Sequence, residues 1–87
     1  MATYSLRWKT SAVKELRRLD RQVARRIVDA VEALASDPFP AATRKMQDGE
    51  HAYRIRVGSY RVVYTVLTDV LVVEVIRVRH RRDAYRG

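Results

Sequence analysis

The chain has no cysteine and only two histidines, His51 and His80, among 87 residues. The first absence excludes disulfides and thiolate metal sites, and the second leaves too few ligands for a protein-built metal centre. No metal or other cofactor is expected. Acidic residues are also scarce, 10 against 18 lysines and arginines, for a net charge of +8. Lysine itself is rare: Lys9, Lys14 and Lys45 leave 15 arginines. Long apolar runs are missing too. Met1-Ala2-Thr3-Tyr4-Ser5-Leu6-Arg7-Trp8 lacks the apolar core of a signal peptide, and no later stretch is long enough to span a bilayer. The cytosol is the expected compartment, with no membrane contact. Internal repeats, linkers and low-complexity tracts are absent as well, so residues 1–87 are expected to form one domain. A chain this short buries only about 60% of its unfolded surface and needs a single well-used core.

What is abundant is arginine at alternate positions. Tyr53-Arg54-Ile55-Arg56-Val57-Gly58-Ser59-Tyr60-Arg61-Val62-Val63-Tyr64 reads as sheet, and so does the segment reaching Arg77-Val78-Arg79-His80-Arg81-Arg82-Asp83-Ala84-Tyr85. A strand sends alternate side chains to opposite faces. Arg54 and Arg56 therefore share one face, and Tyr53, Ile55 and Val57 the other. Arg77, Arg79 and Arg81 repeat the pattern. A guanidinium is a planar fork suited to bidentate phosphate contact and base stacking. Fixed on a rigid sheet, such cations suit a polyphosphate chain, which makes RNA or DNA the leading partner class.

The remaining periodicities supply a scaffold. Thr3 to Trp8 alternates and predicts a short strand. Thr10 or Ser11 can cap a helix with apolar positions Val13, Leu16 and Leu19. Asp20 can cap a second helix with the stripe Val23, Ile27, Ala30, Val31 and Leu34, ended by Asp37-Pro38-Phe39-Pro40. On the outer faces Arg17, Arg18, Arg21, Arg25 and Arg26 oppose Glu15, Asp20, Asp29 and Glu32, which predicts a salt-bridged, solvated surface. Residues 38–50 read as a loop. Three strands follow, Ala52–Val57, Tyr60–Leu67 and Leu71–Arg79, joined by tight turns at Gly58-Ser59 and Thr68-Asp69. Glu74 on an apolar strand requires a sheet edge or an ion pair. The fold class is therefore α+β with order βααβββ. A helical hairpin packs on one face of a small, mainly antiparallel sheet, leaving the other face open for the arginines.

This order, the block from Tyr53 to Tyr64 and the ending His80-Arg81-Arg82-Asp83-Ala84-Tyr85 resemble the RelE/ParE superfamily of toxins from type II toxin–antitoxin modules. The resemblance runs over nearly the whole chain and implies a RelE-like fold. It also implies one of two activities. RelE-like members cleave messenger RNA in the ribosomal A site without a metal, whereas ParE-like members inhibit DNA gyrase and lack nuclease residues. Carried over by motif, Arg54 and Arg56 stand at two basic positions of the second strand, Arg61 at the arginine after the Gly-Tyr-like turn, and Arg81 and Tyr85 at the terminal pair. Retention of these groups favours the RelE-like branch. The implied catalytic set is Arg56, Arg61, Arg81 and Tyr85; RNA binding is expected of Arg54 and Arg56 and, from the basic pattern of the chain, of Lys45, Arg79 and Arg82. The resemblance further implies a cognate antitoxin that wraps the basic surface with an acidic segment.

RNA cleavage without a metal requires an aligned 2′-hydroxyl, stabilisation of the extra negative charge, and a proton for the leaving 5′-oxygen. Arg61, at the start of a central strand, suits the charged phosphate, and Arg81 suits the leaving oxygen as an electrostatic partner. Tyr85 suits base stacking or orientation of the 2′-hydroxyl. In the best-known RelE-like pattern lysines stand at the positions of Arg54 and Arg56. Arginine stays protonated where a crowded lysine can be neutralised, so these two supply charge rather than a base. Histidine is the side chain suited to proton transfer near neutral pH, so His80 is the acid–base candidate. A structural or partner-facing role is the other reading, since alternation points it away from Arg79 and Arg81. Two other readings stay open: a ParE-like gyrase inhibitor, and an inactive domain that binds nucleic acid or antitoxin.

Overall fold

The computed structural model describes residues 3–46 and 51–80. Strand β1 (Ser5–Trp8) leads into helices α1 (Thr10–Arg17) and α2 (Arg21–Ala33), followed by strands β2 (Arg44–Lys45), β3 (Ala52–Val57), β4 (Tyr60–Leu67) and β5 (Val72–His80). The strands form one sheet in the order β1-β5-β4-β3-β2. β1 runs parallel to β5, and every other pairing is antiparallel. The expected α+β architecture holds, with β2 added inside the segment read as loop. Two residues are too short for a periodicity to register, and only pairing with β3 makes them a strand.

The apolar stripes converge on one face. Ala12, Ile27, Val31 and Leu34 from the helical layer pack with Ile55, Val62, Tyr64, Val66, Val73, Val75 and Val78 from the sheet. Asp20 caps α2 as expected, its carboxylate accepting from the Gln22 N–H at 3.3 Å. For α1 the cap is Lys9, with no side-chain capping bond. The Ser11 hydroxyl instead donates to the Ile76 carbonyl 65 positions away, at 3.4 Å. β1 covers the edge of β5 only as far as Val75. Beyond it α1 takes over, with Ser11 serving the Ile76 carbonyl and Glu15 accepting from the Val78 N–H at 2.9 Å. An edge whose donors and acceptors are answered this way cannot template another strand there.

The turns differ in how far local sequence decides them. Gly58 has φ +59° while Ser59 is not in the left-handed region, which is the pattern of a two-residue turn matched to strand twist. The β4–β5 connection is longer than the expected Thr68-Asp69 pair. It spans residues 68–71, with Leu71 at φ +54° and outside the strand. The Leu71 carbonyl accepts from the Ser5 N–H at 2.8 Å, so docking of β1 accompanies this unusual backbone. Among the described residues, no helix is long and apolar enough to cross a membrane.

Candidate nucleic-acid interface

Directly opposed residues of adjacent strands share a sheet face, so the register sorts the arginines. Arg56 lies opposite Arg61, and Arg61 lies opposite Arg79. Three guanidinium-bearing residues thus form a row across β3, β4 and β5. One step along, Arg44 opposes Arg54, Arg54 opposes Val63, and Val63 opposes Arg77. Both rows lie on the face away from the helices, because Ile55 and Val62 fill the opposite face.

A bulge in β5 makes this possible. Val63 pairs with Arg77, but Tyr64 pairs with Val75, leaving Ile76 as the extra residue. Unbroken alternation from Val73 and Val75 would drive Arg77 and Arg79 into the core. The inserted residue reverses the phase, so Val78 is buried and both arginines turn outward.

Arg44, Arg54, Ile55, Arg56 and Arg61, with Ala42, line a cleft of about 320 Å³ on this face. Arg61 is 6% exposed and forms the floor, whereas Arg56 stands in solvent. Four arginines line this cavity, and among the described residues around it there is no carboxylate, which suits an anion. Its wall is braced from beneath. The buried Tyr64 hydroxyl donates to the Pro38 carbonyl at 2.8 Å and lies 2.9 Å from the Thr43 hydroxyl. Tyr53 stacks at a tilt on Tyr64 and meets the edge of Phe39, with centroids 6.0 and 5.0 Å apart. These contacts hold the segment that delivers Arg44, whose guanidinium also donates to the Thr43 carbonyl at 3.2 Å. Burial pushes the Tyr64 phenol above its ordinary 10.0, opposed by the hydrogen bond with Thr43.

A second cleft, about 350 Å³, opens at the end of β5 among Glu15, Arg18, Leu19, Tyr60, Val78, Arg79 and His80. His80 packs edge-on against Tyr60, its register partner, with centroids 5.1 Å apart and planes at 89°. Glu15 Oε2 lies 3.6 Å from both Arg77 Nη1 and Arg79 Nε.

Of the residues expected to act, Arg54, Arg56 and Arg61 meet in one cleft; Arg79 is the register partner of Arg61, but its side chain lines the other cleft beside Glu15. His80 stands on the opposite face of β5 and lines the other cleft. On β2 the register sets Lys45 opposite Tyr53, on the helix side, and sets Arg44 opposite Arg54. Arg44 is therefore the β2 residue of the arginine face, and a strand of two residues offered no sequence signal for it. Arg81, Arg82 and Tyr85 lie outside the described residues. The salt-bridged helix surface is also revised. Among the described residues, Arg17, Arg18, Arg21, Arg25 and Arg26 make no ion pair, and Glu15 turns to the sheet instead. Glu74 needs no free edge, being covered by β1 with Arg7 as its opposite number. Among the described residues no group of three or more histidine or acidic side chains could hold a metal.

Residues 6–85 match the family described as the ParE toxin of the type II toxin-antitoxin system parDE. The chain is 26% identical over 78 residues to the putative toxin RelE1 of Methanocaldococcus jannaschii, covering 86% of this chain and 87% of that protein. It is 27% identical over 84 residues to toxin RelG of Mycobacterium tuberculosis, covering 95% and 97%. Among solved structures it is similar to the archaeal RelE–RelB complex from Pyrococcus horikoshii OT3, at 27% identity and a TM-score of 0.82. That match covers 98% of this chain and 99% of that one. A family match over nearly the whole length, on a fold shared with RelE structures, means that the chain belongs to the RelE/ParE superfamily of toxins from type II toxin–antitoxin systems.

Proposed function

We propose that this toxin is a metal-independent endoribonuclease that cuts messenger RNA on the ribosome. The observation that carries the reading is the cleft in which Arg44, Arg54, Arg56 and Arg61 converge on the face left open by the helices. The RelE names of its relatives support the same branch. In the proposed reaction the 2′-hydroxyl oxygen attacks the adjacent phosphorus, the bond to the 5′-oxygen breaks, and a 2′,3′-cyclic phosphate and a 5′-hydroxyl result. The proton leaves the 2′-oxygen and one is delivered to the 5′-oxygen. Arg61, rigid on the central strand, holds the phosphoryl oxygens as charge builds, and Arg56 and Arg54 add to the field. Arg79 extends RNA binding along the row. Arg81 and Tyr85 complete the set implied by family resemblance, with His80 as the acid–base candidate from the neighbouring cleft. The same basic face is the proposed seat of an acidic segment of a cognate antitoxin, since the solved relative is a RelE–RelB complex.

A second reading, inhibition of DNA gyrase, is favoured by the ParE description of the matching family. Primer extension on purified, programmed ribosomes separates the two. Cleavage within the A-site codon, reduced ~100- to 1000-fold in Arg61→Ala, is the expected result. Arg56→Ala, at an exposed position, provides a variant with less risk to folding. A protein that arrests growth without cutting, and that blocks supercoiling by gyrase, would replace the first reading with the second.

A further inference from the structure

We propose that Glu15 is a positioning residue for the arginine face: an internal counter-ion that holds Arg77 and Arg79 in place for the RNA phosphates. The proposal rests on the nuclease reading for its kinetic consequence and on geometry for the rest.

The carboxylate is anchored at one oxygen and faces two cations with the other. Oε1 accepts the Val78 N–H at 2.9 Å, a charge-assisted bond to a backbone group that cannot swing away. Oε2 then sits 3.6 Å from Arg77 Nη1 and 3.6 Å from Arg79 Nε. Arg77 and Arg79 flank Val78, so one glutamate is pinned by the residue between the two cations it gathers. Their side chains are 45% and 40% exposed, and two such long cations on adjacent same-face positions would otherwise spread apart into solvent. Arg79 is the register partner of Arg61. Glu15 therefore sets where the cation at the β5 end of the row stands, beside the cleft that Arg79 shares with His80.

The sign of the charge makes the proposal testable. An acid beside a polyanion site weakens RNA attraction, whereas a positioning anion improves the geometry of the cations that remain. Glu15→Gln retains an oxygen for the Val78 N–H and removes the charge. Its single-turnover cleavage rate on saturating ribosomes should fall about 2- to 30-fold, the combined span of two partly exposed ion pairs. Its affinity for a single-stranded RNA oligonucleotide should stay the same or rise. In an Arg77→Gln/Arg79→Gln background the same change should have no further effect. A rate that is unchanged, or that falls only with RNA affinity or folded fraction, overturns the proposal.

Nitrogen-15 NMR tests the geometry without any cleavage. In the wild type the Arg79 Nε–H signal should stand apart from those of exposed arginines, and Glu15→Gln should merge it with them. If the wild type does not cut, the nuclease reading fails and this signal alone decides the role of Glu15. Should Glu15→Gln not fold, Arg77→Gln should shift the Arg79 signal, because both guanidinium groups share one oxygen. An unmoved signal sinks the idea.

Discussion

Replacing Arg56 with threonine should make the protein more stable and a weaker RNA binder at once. Arg56 is exposed and directly opposite Arg61, itself opposite Arg79. Like charges facing each other across strands cost roughly 0.2–1 kcal/mol per pair. Threonine removes the Arg56–Arg61 pair and keeps a residue that suits a pleated strand. For a domain of this size 1 kcal/mol corresponds to roughly 4–8 °C, so Tm should rise by about 1–8 °C. Binding moves the other way. Each phosphate contact to a single strand contributes about 0.7 to the slope of log affinity against log salt, so that slope should shrink by ~0.7. Differential scanning calorimetry and fluorescence anisotropy of a labelled RNA across a salt series give the two numbers. A lower Tm, or an unchanged salt slope, would refute the view that Arg56 is held against a stability cost for its anion.

Two further predictions concern the frame around the cleft. Tyr64→Phe deletes the donor to the buried Pro38 carbonyl and should cost about 1–3 kcal/mol at neutral pH in a urea melt. Because the folded-state phenol titrates above its unfolded value of 10.0, its contribution is complete below pH 10.0 and fades as pH rises through the higher folded pKa. Wild-type stability should decline more steeply than that of Tyr64→Phe across that window, and parallel curves would contradict the assignment. Gly58→Ala has room for its methyl, which would meet the Arg26 guanidinium at an ordinary contact distance of 3.7 Å, so the penalty is conformational. At φ +59° it should be about 1–2 kcal/mol, with Gly58→Asn losing less, as read from denaturation midpoints.

Much of this protein was legible because the relevant signals are local. Period-two alternation put Arg54 and Arg56 on one face of β3 and Ile55 on the other. Helical spacing placed Ile27, Val31 and Leu34 against the sheet, and Asp20 marked the start of α2. A glycine at the first turn position fixed the tight β3–β4 hairpin. Each follows from the geometry of a few consecutive residues and requires no knowledge of what they pack against.

Tertiary structure decided how those pieces line up. The row Arg56–Arg61–Arg79 exists only in one register, and a slip of one residue would send each strand's arginines to the wrong face. The bulge at Ile76 rotates Arg77 and Arg79 out of a core that plain alternation would give them. Pairing of β2 with β3 chose Arg44 over Lys45 for the cleft, and docking of α1 on the uncovered part of β5 turned Glu15 from a helix-surface charge into a clamp. The sequence alone determined which side chains carry charge and which faces are apolar, because those properties repeat along the chain. Which arginines stand together depends on contacts between residues far apart in sequence, and those are set only when the sheet closes.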